Sequence, residues 1–212
     1  MRLRNIRGSE ETVAQDRYVV NEPEQLKGKW VSLFQNENPI HMEIGMGKGK
    51  FIMEQSRLHP ENNYIGIERY ASVLLRALEK RKQTELNNLY YIWFDAQQLN
   101  DIVGTGEISK IYLNFSDPWP KDRHAKRRLT SREFLSKYQK CLKKDGEVIF
   151  KTDNQDLFAF SLEEAKAVGW QLKEVTYDLH HSDLVQGNVM TEYEERFVME
   201  GKPICQMILF QN

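Results

Sequence analysis

Gly45-Met46-Gly47-Lys48-Gly49 follows an apolar run and opens a segment of helical periodicity, with Glu43 two residues ahead of the first glycine. Glycines at such a turn let the backbone approach a ligand and adopt torsions other residues resist, which implies a nucleotide-like ligand. The spacing is GxGxG rather than GxGxxG, and Glu43 puts a carboxylate where a dinucleotide carries its pyrophosphate. A carboxylate there suits a ligand with a positive group, such as the amino acid part of S-adenosylmethionine. Glu68 ends the second apolar run about twenty residues further on, where an acid accepts hydrogen bonds from both ribose hydroxyls. Asp95 ends the third, where a carboxylate can receive an adenine amino group. A plain strand-to-helix turn at the glycines and helix capping at the two acids are the structural alternatives.

Asn114-Phe115-Ser116-Asp117-Pro118-Trp119-Pro120 follows the fourth apolar run. Each proline fixes its own φ and restricts the residue before it, so Asp117 and Trp119 are presented with little entropy left to lose, and a planar base can stack on Trp119. A rigid turn around a buried Trp is the alternative. The chain as a whole carries a net charge of −1, which by itself gives no reason to expect an anionic partner. Yet Lys121, Arg123, Lys126, Arg127, Arg128 and Arg132 crowd beside this loop against Asp122 alone. Phosphate contacts are the natural use of such a run, a solvated surface the plain one, and RNA or DNA becomes the leading substrate. Lys151-Thr152-Asp153-Asn154 and Thr191-Glu192-Tyr193-Glu194 both offer groups that can read a base edge: carboxylates accept from guanine N1–H and its amino group, and Tyr193 can stack. Capping at Asp153 and a solvent-facing strand edge at Glu192 and Glu194 are the alternatives. The five histidines show no metal spacing, and Cys141 and Cys205 lie outside any CxxC or Cys/His cluster, so no metal is expected.

The elements that must position these residues follow from periodicity. Strands are expected at 39–44, 63–68, 89–94, 110–115, 146–151, 172–177, 191–198 and 204–210. Helices are expected at 50–58, around 73–78, at 132–141 and at 157–168. Strands separated by helices mean a parallel, doubly wound α/β sheet whose ligands bind at the strands' carboxyl ends. At 212 residues, with 40% hydrophobic and 29% charged side chains, the chain is sized for one globular domain. Collagen, coiled coil and a wholly disordered chain are excluded. No stretch approaches the roughly 18 apolar residues of a membrane span, and Met1-Arg2-Leu3-Arg4 leads into charged sequence, so a cytoplasmic protein is expected. Residues 1–38 read as an N-terminal arm with a short helix ending in Trp30, Leu33 and Phe34, and 39–212 as a single domain.

Taken together, Glu43 to Gly49, Gly66-Ile67-Glu68, Asn114 to Pro120, Arg123-His124-Ala125-Lys126-Arg127-Arg128-Leu129-Thr130, Phe150 to Asn154 and Thr191 to Glu194 resemble bacterial tRNA (guanine-N7-)-methyltransferases over nearly the whole chain. The resemblance implies a Rossmann-like class I methyltransferase fold, seven strands with the last antiparallel. It implies transfer of a methyl group from S-adenosylmethionine to a variable-loop guanine of tRNA, and a homodimer. Residues matching Glu43, Gly45, Gly47, Glu68, Asp95 and Asp117 would line the cofactor site, with Asp117 also catalytic. Those matching Lys121, Asp153, Thr191, Glu192, Tyr193 and Glu194 would hold substrate, and Arg123, His124, Ala125, Lys126, Arg127 and Arg128 would touch RNA. One departure is visible: Asn154-Gln155 stands where Asn-Arg is expected, removing a positive charge near the substrate pocket. Asp117-Pro118-Trp119 is also close to the Asp-Pro-Pro-aromatic loop of adenine and cytosine amino-methyltransferases, and a nucleotide-sensing RNA-binding module is a non-catalytic rival. A nicotinamide-dependent dehydrogenase is a third, disfavoured by the glycine spacing and Glu43.

Overall fold

The computed structural model describes residues 6–211, so Arg2 and Arg4 of the expected arm lie outside the described residues. Seven strands run β1 Ile40–Ile44, β2 Asn63–Glu68, β3 Leu89–Trp93, β4 Ile108–Asn114, β5 Leu142–Thr152, β6 Gln171–Thr176 and β7 Cys205–Phe210. The helices are α1 Ser9–Ala14, α2 Val31–Phe34, α3 Lys50–Leu58, α4 Ala71–Arg81, α5 Leu99–Ile102, α6 Arg132–Cys141, α7 Gln155–Ala167 and α8 Glu192–Met199. The sheet order is β3-β2-β1-β4-β5-β7-β6. β1 to β5 pair in parallel, and β7 runs antiparallel to both neighbours. The order reverses between β1 and β4, and their carboxyl ends open the crevice where such sheets bind ligands.

Alternation along the strands sends side chains to two cores. On β2 and β3, Tyr64 and Tyr91 join the core that holds the buried faces of α3 and α4, while Ile65 and Ile92 join the core on the other side with Trp30, Leu99 and the buried face of α6. In α6 the buried residues Phe134, Leu135, Tyr138 and Cys141 recur at i, i+1, i+4 and i+7, the stripe that made this helix readable from sequence. Gly66 leaves room on β2 for Met46: a Cβ there would collide with the Met46 sulfur.

Two expectations change. Residues 191–198 were expected as a strand but form α8. The Thr191 side chain caps it by accepting the Glu194 backbone N–H at 3.0 Å, acids fill the first turn, and Glu194 and Phe197, three apart, are its buried face. The N-terminal segment holds two short helices and a 3-10 turn over Pro23–Leu26 rather than one helix. Its described part is anchored to the domain at a few buried residues. Val13 and Trp30 are fully buried, the Trp30 indole donates to the Ile102 carbonyl at 2.8 Å, and residues 18–20 bond to Tyr91 on the sheet edge. No helix among the described residues is long and apolar enough to cross a membrane.

Candidate active site

At the switch point a cleft opens in two connected lobes of about 260 and about 460 Å³, with Gly45, Gly47, Tyr70, Phe115, Asp117 and Tyr193 on the walls of both. The smaller lobe is a slot with apolar sides from Phe94, Leu129 and Phe134 and with Glu68, Asp95 and Trp119 at its edge. The larger one carries Glu43, Asn114, Lys48, Thr191 and Glu192.

The glycine turn is built for close approach. Gly45, Gly47 and Gly49 take φ of 75°, 57° and 73°, a region side-chain-bearing residues resist. Gly45 and Met46 donate their backbone N–H groups to the Ile67 carbonyl, tying the turn to β2. Glu68 then accepts from the Gly47 N–H at 3.1 Å and the Tyr70 N–H at 3.0 Å, so one carboxylate braces both the turn and the start of α4. Burial raises the Glu68 pKa, and the backbone donors oppose that rise. Glu43 is only 2% exposed, and burial pushes its pKa from the ordinary 4.5 to about 8. The Asn114 amide donates to its Oε1 at 2.8 Å, while Oε2, the Asn114 Oδ1 and the Ser116 hydroxyl are buried with no protein partner. Orphaned polar atoms along a cleft wall mark a place that a polar ligand completes. Asp95 accepts the Gln97 N–H, so its capping alternative holds while the residue still reaches the slot.

Asp117 projects between two strained aromatic residues. Phe115 and Trp119 have φ of 50° and 43°, a left-handed course that costs bulky side chains about 1–3 kcal/mol each unless the surroundings hold it. The surroundings do hold it. The Phe115 N–H donates to the Lys151 carbonyl at 2.9 Å, and its ring packs 5.9 Å from Phe197 of α8. The Arg127 guanidinium lies 5.0 Å over the Trp119 ring, and His124 meets that ring edge-on at 5.7 Å. Arg128 donates from Nε to the Pro118 carbonyl at 3.0 Å and from Nη2 to the Trp119 carbonyl at 3.1 Å.

Behind the cleft lies a buried ion pair. Lys151 Nζ donates to Glu194 Oε2 at 2.6 Å, to Asn188 Oδ1 and to the Val189 carbonyl, at 2% and 0% exposure of the two charged side chains. Glu194 Oε1 meets His180 Nε2 at 3.0 Å and the Asn188 amide at 2.7 Å. This network fixes α8, whose first turn presents Tyr193 to both lobes, and Glu192 pairs outside with Lys48 and Lys80.

The structure therefore brings Glu43, Gly45, Gly47, Glu68, Asp95, Asp117, Arg127, Thr191, Glu192 and Tyr193 to one cleft. Glu194, expected to hold substrate, has both carboxylate oxygens engaged by protein groups and reaches neither lobe. Asp153 is half-buried at the end of β5, outside the walls of both lobes. Lys121, Arg123 and Lys126 are exposed beside the cleft on or next to the 3-10 segment Asp122–Arg127, with His124 and Ala125 half-buried among them. Sequence reasoning gave no role to Tyr70, His180 or Asn188, and named Asn114 and Lys151 only as members of longer motifs. The available signal was a polar residue ending an apolar strand, at Asn114 on β4 and Lys151 on β5. Among the described residues no group of three His, Cys, Asp or Glu is placed to hold a metal ion.

The fold has known counterparts. The 16S rRNA methyltransferase KamB superposes with a TM-score of 0.66 at 12% identity, over 87% of this chain and 94% of that one. A 16S rRNA (adenine(1408)-N(1))-methyltransferase from Catenulisporales acidiphilia, solved with its cosubstrate SAM, gives 0.60 at 11% identity over 87% and 90%. At such identities the likeness is one of fold. A family model described as a putative methyltransferase matches residues 37–207. The tRNA (guanine-N(7)-)-methyltransferase of Lachnoclostridium phytofermentans is 62% identical over 212 residues, 100% of this chain and 99% of that protein. That of Geobacillus thermodenitrificans is 51% identical over 205 residues, 96% and 94%. With identity at this level over nearly the whole chain, the chain belongs to the tRNA (guanine-N(7)-)-methyltransferase family.

Proposed function

We propose that this chain methylates N7 of a variable-loop guanine in tRNA, using S-adenosylmethionine. The observation that carries the reading is the Asp117 carboxylate held between the two lobes, beside Trp119 and the basic segment. When bound, S-adenosylmethionine supplies a methyl group made electrophilic by its sulfonium. Glu43 and Asn114 suit its ammonium end, the Gly45 and Gly47 backbone its passage over the turn, Glu68 its ribose and Asp95 its adenine amino group.

Guanine N7 has a lone pair and no proton, so its attack needs no general base, unlike reaction at an N–H or O–H group. Positioning then dominates, and alignment of reacting groups is worth up to about 7–11 kcal/mol. Methylation leaves the purine cationic, and a fixed carboxylate at Asp117 stabilises that charge as it develops. Trp119 and Tyr193 offer stacking faces, Thr191, Glu192 and Lys121 polar contacts near the target base, and Asp153 a carboxylate further out. Arg123, Lys126 and Arg127 face the phosphates. Glu194 supports α8 instead of touching substrate. A cytoplasmic enzyme and a homodimer complete the reading, the latter checked by sedimentation velocity.

The test is to incubate the protein with labelled S-adenosylmethionine and unmodified tRNA, digest the RNA and identify the product. N7-methylguanosine supports the reading. A methylated exocyclic amine reassigns Asp117 to the amino-methyltransferase role, and cofactor binding without transfer makes the protein a binding module.

A further inference from the structure

The basic run that reads as one phosphate-binding stretch divides in two in space. Arg123 and Lys126 point to solvent, whereas Arg128 is half-buried and turned back under the Asp117 loop. Its Nε and Nη2 are both committed to protein, on the successive carbonyls of Pro118 and Trp119. The same guanidinium lies 4.2 Å over the Phe160 ring of α7, so it joins the loop to a packed helix. Glu164, also on α7, lies close enough for Arg128 to lower its pKa, though its carboxylate is bonded to Arg132. Two parallel donors and a flat stacking face are properties of arginine that lysine lacks. The two carbonyls belong to the segment that carries Asp117 and ends in the strained Trp119.

We propose that Arg128 is a positioning residue for methyl transfer and not a phosphate ligand: stacked on Phe160, it clamps the Pro118 and Trp119 carbonyls and so fixes where Asp117 stands. The role in transfer rests on the reading of Asp117 as the acid beside the target guanine; the clamp itself does not. A phosphate ligand acts by charge and tolerates lysine. A two-carbonyl clamp acts by shape and does not.

The test compares wild type with Arg128→Lys, Arg128→Ala and Phe160→Leu. Three quantities are read: the single-turnover rate at saturating tRNA, the slope of log affinity for tRNA against log salt, and acrylamide quenching of Trp119, taken as the difference from parallel Trp119→Phe proteins. Arg128→Lys keeps the charge, yet its rate is expected to fall tenfold or more, close to that of Arg128→Ala. Its salt slope should stay at the wild-type value while Trp119 becomes more accessible. Phe160→Leu, which alters no charge, should move rate and quenching the same way. A wild-type rate and quenching in Arg128→Lys, with a slope flattened by about one charge in Arg128→Ala, would overturn the proposal and return Arg128 to the phosphates. If Arg128→Ala does not fold, the other two variants decide. Quenching is read without RNA or cofactor, so a wild type that methylates no tRNA defeats the functional reading, while unchanged quenching in the variants defeats the clamp.

Discussion

Asp117 and Glu43 carry opposite assignments, and each makes a distinct prediction. Asp117 lies on the wall of both lobes; in the proposed function the charge of a methylated guanine develops beside it and the cofactor's ammonium end goes to Glu43. Asp117→Ala should therefore lower the single-turnover rate by about 100-fold or more, the scale of losing one preorganised electrostatic group, with cofactor affinity changed only a few-fold. Rapid-quench and calorimetric measurements on the same variant would expose an error if the rate held and affinity collapsed. Glu43 makes a pH prediction. Its pKa is raised from 4.5 to about 8 by burial, so between those values the folded chain holds a proton that the unfolded chain has lost. The contribution of Glu43 to stability is thus largest at low pH and falls as pH rises through that window. Glu43→Gln should flatten the fall in urea denaturation profiles. A cationic ligand needs the ionised form, so cofactor affinity should rise between pH 6 and 7, by up to about tenfold per unit, with proton release. Binding heats independent of buffer ionisation enthalpy would contradict this assignment.

The elements carry what single residues cannot, and here the sequence was only partly readable. Strands and helices whose buried residues are apolar and periodic, such as β2 and α6, stand close to where periodicity puts them. α8 does not, because half its buried face is Glu194, a charge whose burial makes sense only beside Lys151, forty-three residues earlier in the chain. Its Thr191 cap was written in the sequence as a Thr followed three residues later by Glu, but aromatic and β-branched neighbours read as a strand. How the N-terminal segment packs was not legible for a similar reason. Trp30 and Val13 are buried against distant elements, α5 and α4, and not within a periodic stretch of their own. The cost of breaking the two kinds of ion pair should differ accordingly. Lys151→Met leaves a buried carboxylate uncompensated and should destabilise by about 3–5 kcal/mol. Lys80→Met removes a half-exposed partner of Glu192 and should cost under about 1 kcal/mol. Equal losses in urea denaturation would mean that the Lys151–Glu194 pair does not hold α8.

For the whole molecule, the near-neutral total charge conceals a local concentration of cations between Lys121 and Arg132. Lys121, Arg123, Lys126 and Arg127 are exposed on one short segment, and Arg127 reaches the cleft wall. If Arg123, Lys126 and Arg127 each neutralise a phosphate, their joint replacement by Ala should flatten the log affinity against log salt slope by about 2–3. An unchanged slope in filter-binding titrations would make them ordinary solvated surface. The cleft itself was readable because its acids and glycines end apolar strands, and ends of strands at a switch point converge by topology alone. What no linear reading could supply is how each cation meets the loop, since Arg127 lies over the Trp119 ring while its neighbour Arg128 bonds to the Pro118 and Trp119 carbonyls.

The central claim is that the attacking atom is guanine N7, a nucleophile with no proton to remove. A tRNA transcript carrying 7-deazaguanosine at the variable-loop position keeps every exocyclic and Watson–Crick group and lacks only that nitrogen. Methyl transfer to this transcript, compared with the unsubstituted one, should be lost while binding affinity stays within a few-fold. Undiminished transfer would place the chemistry at another atom and contradict the account.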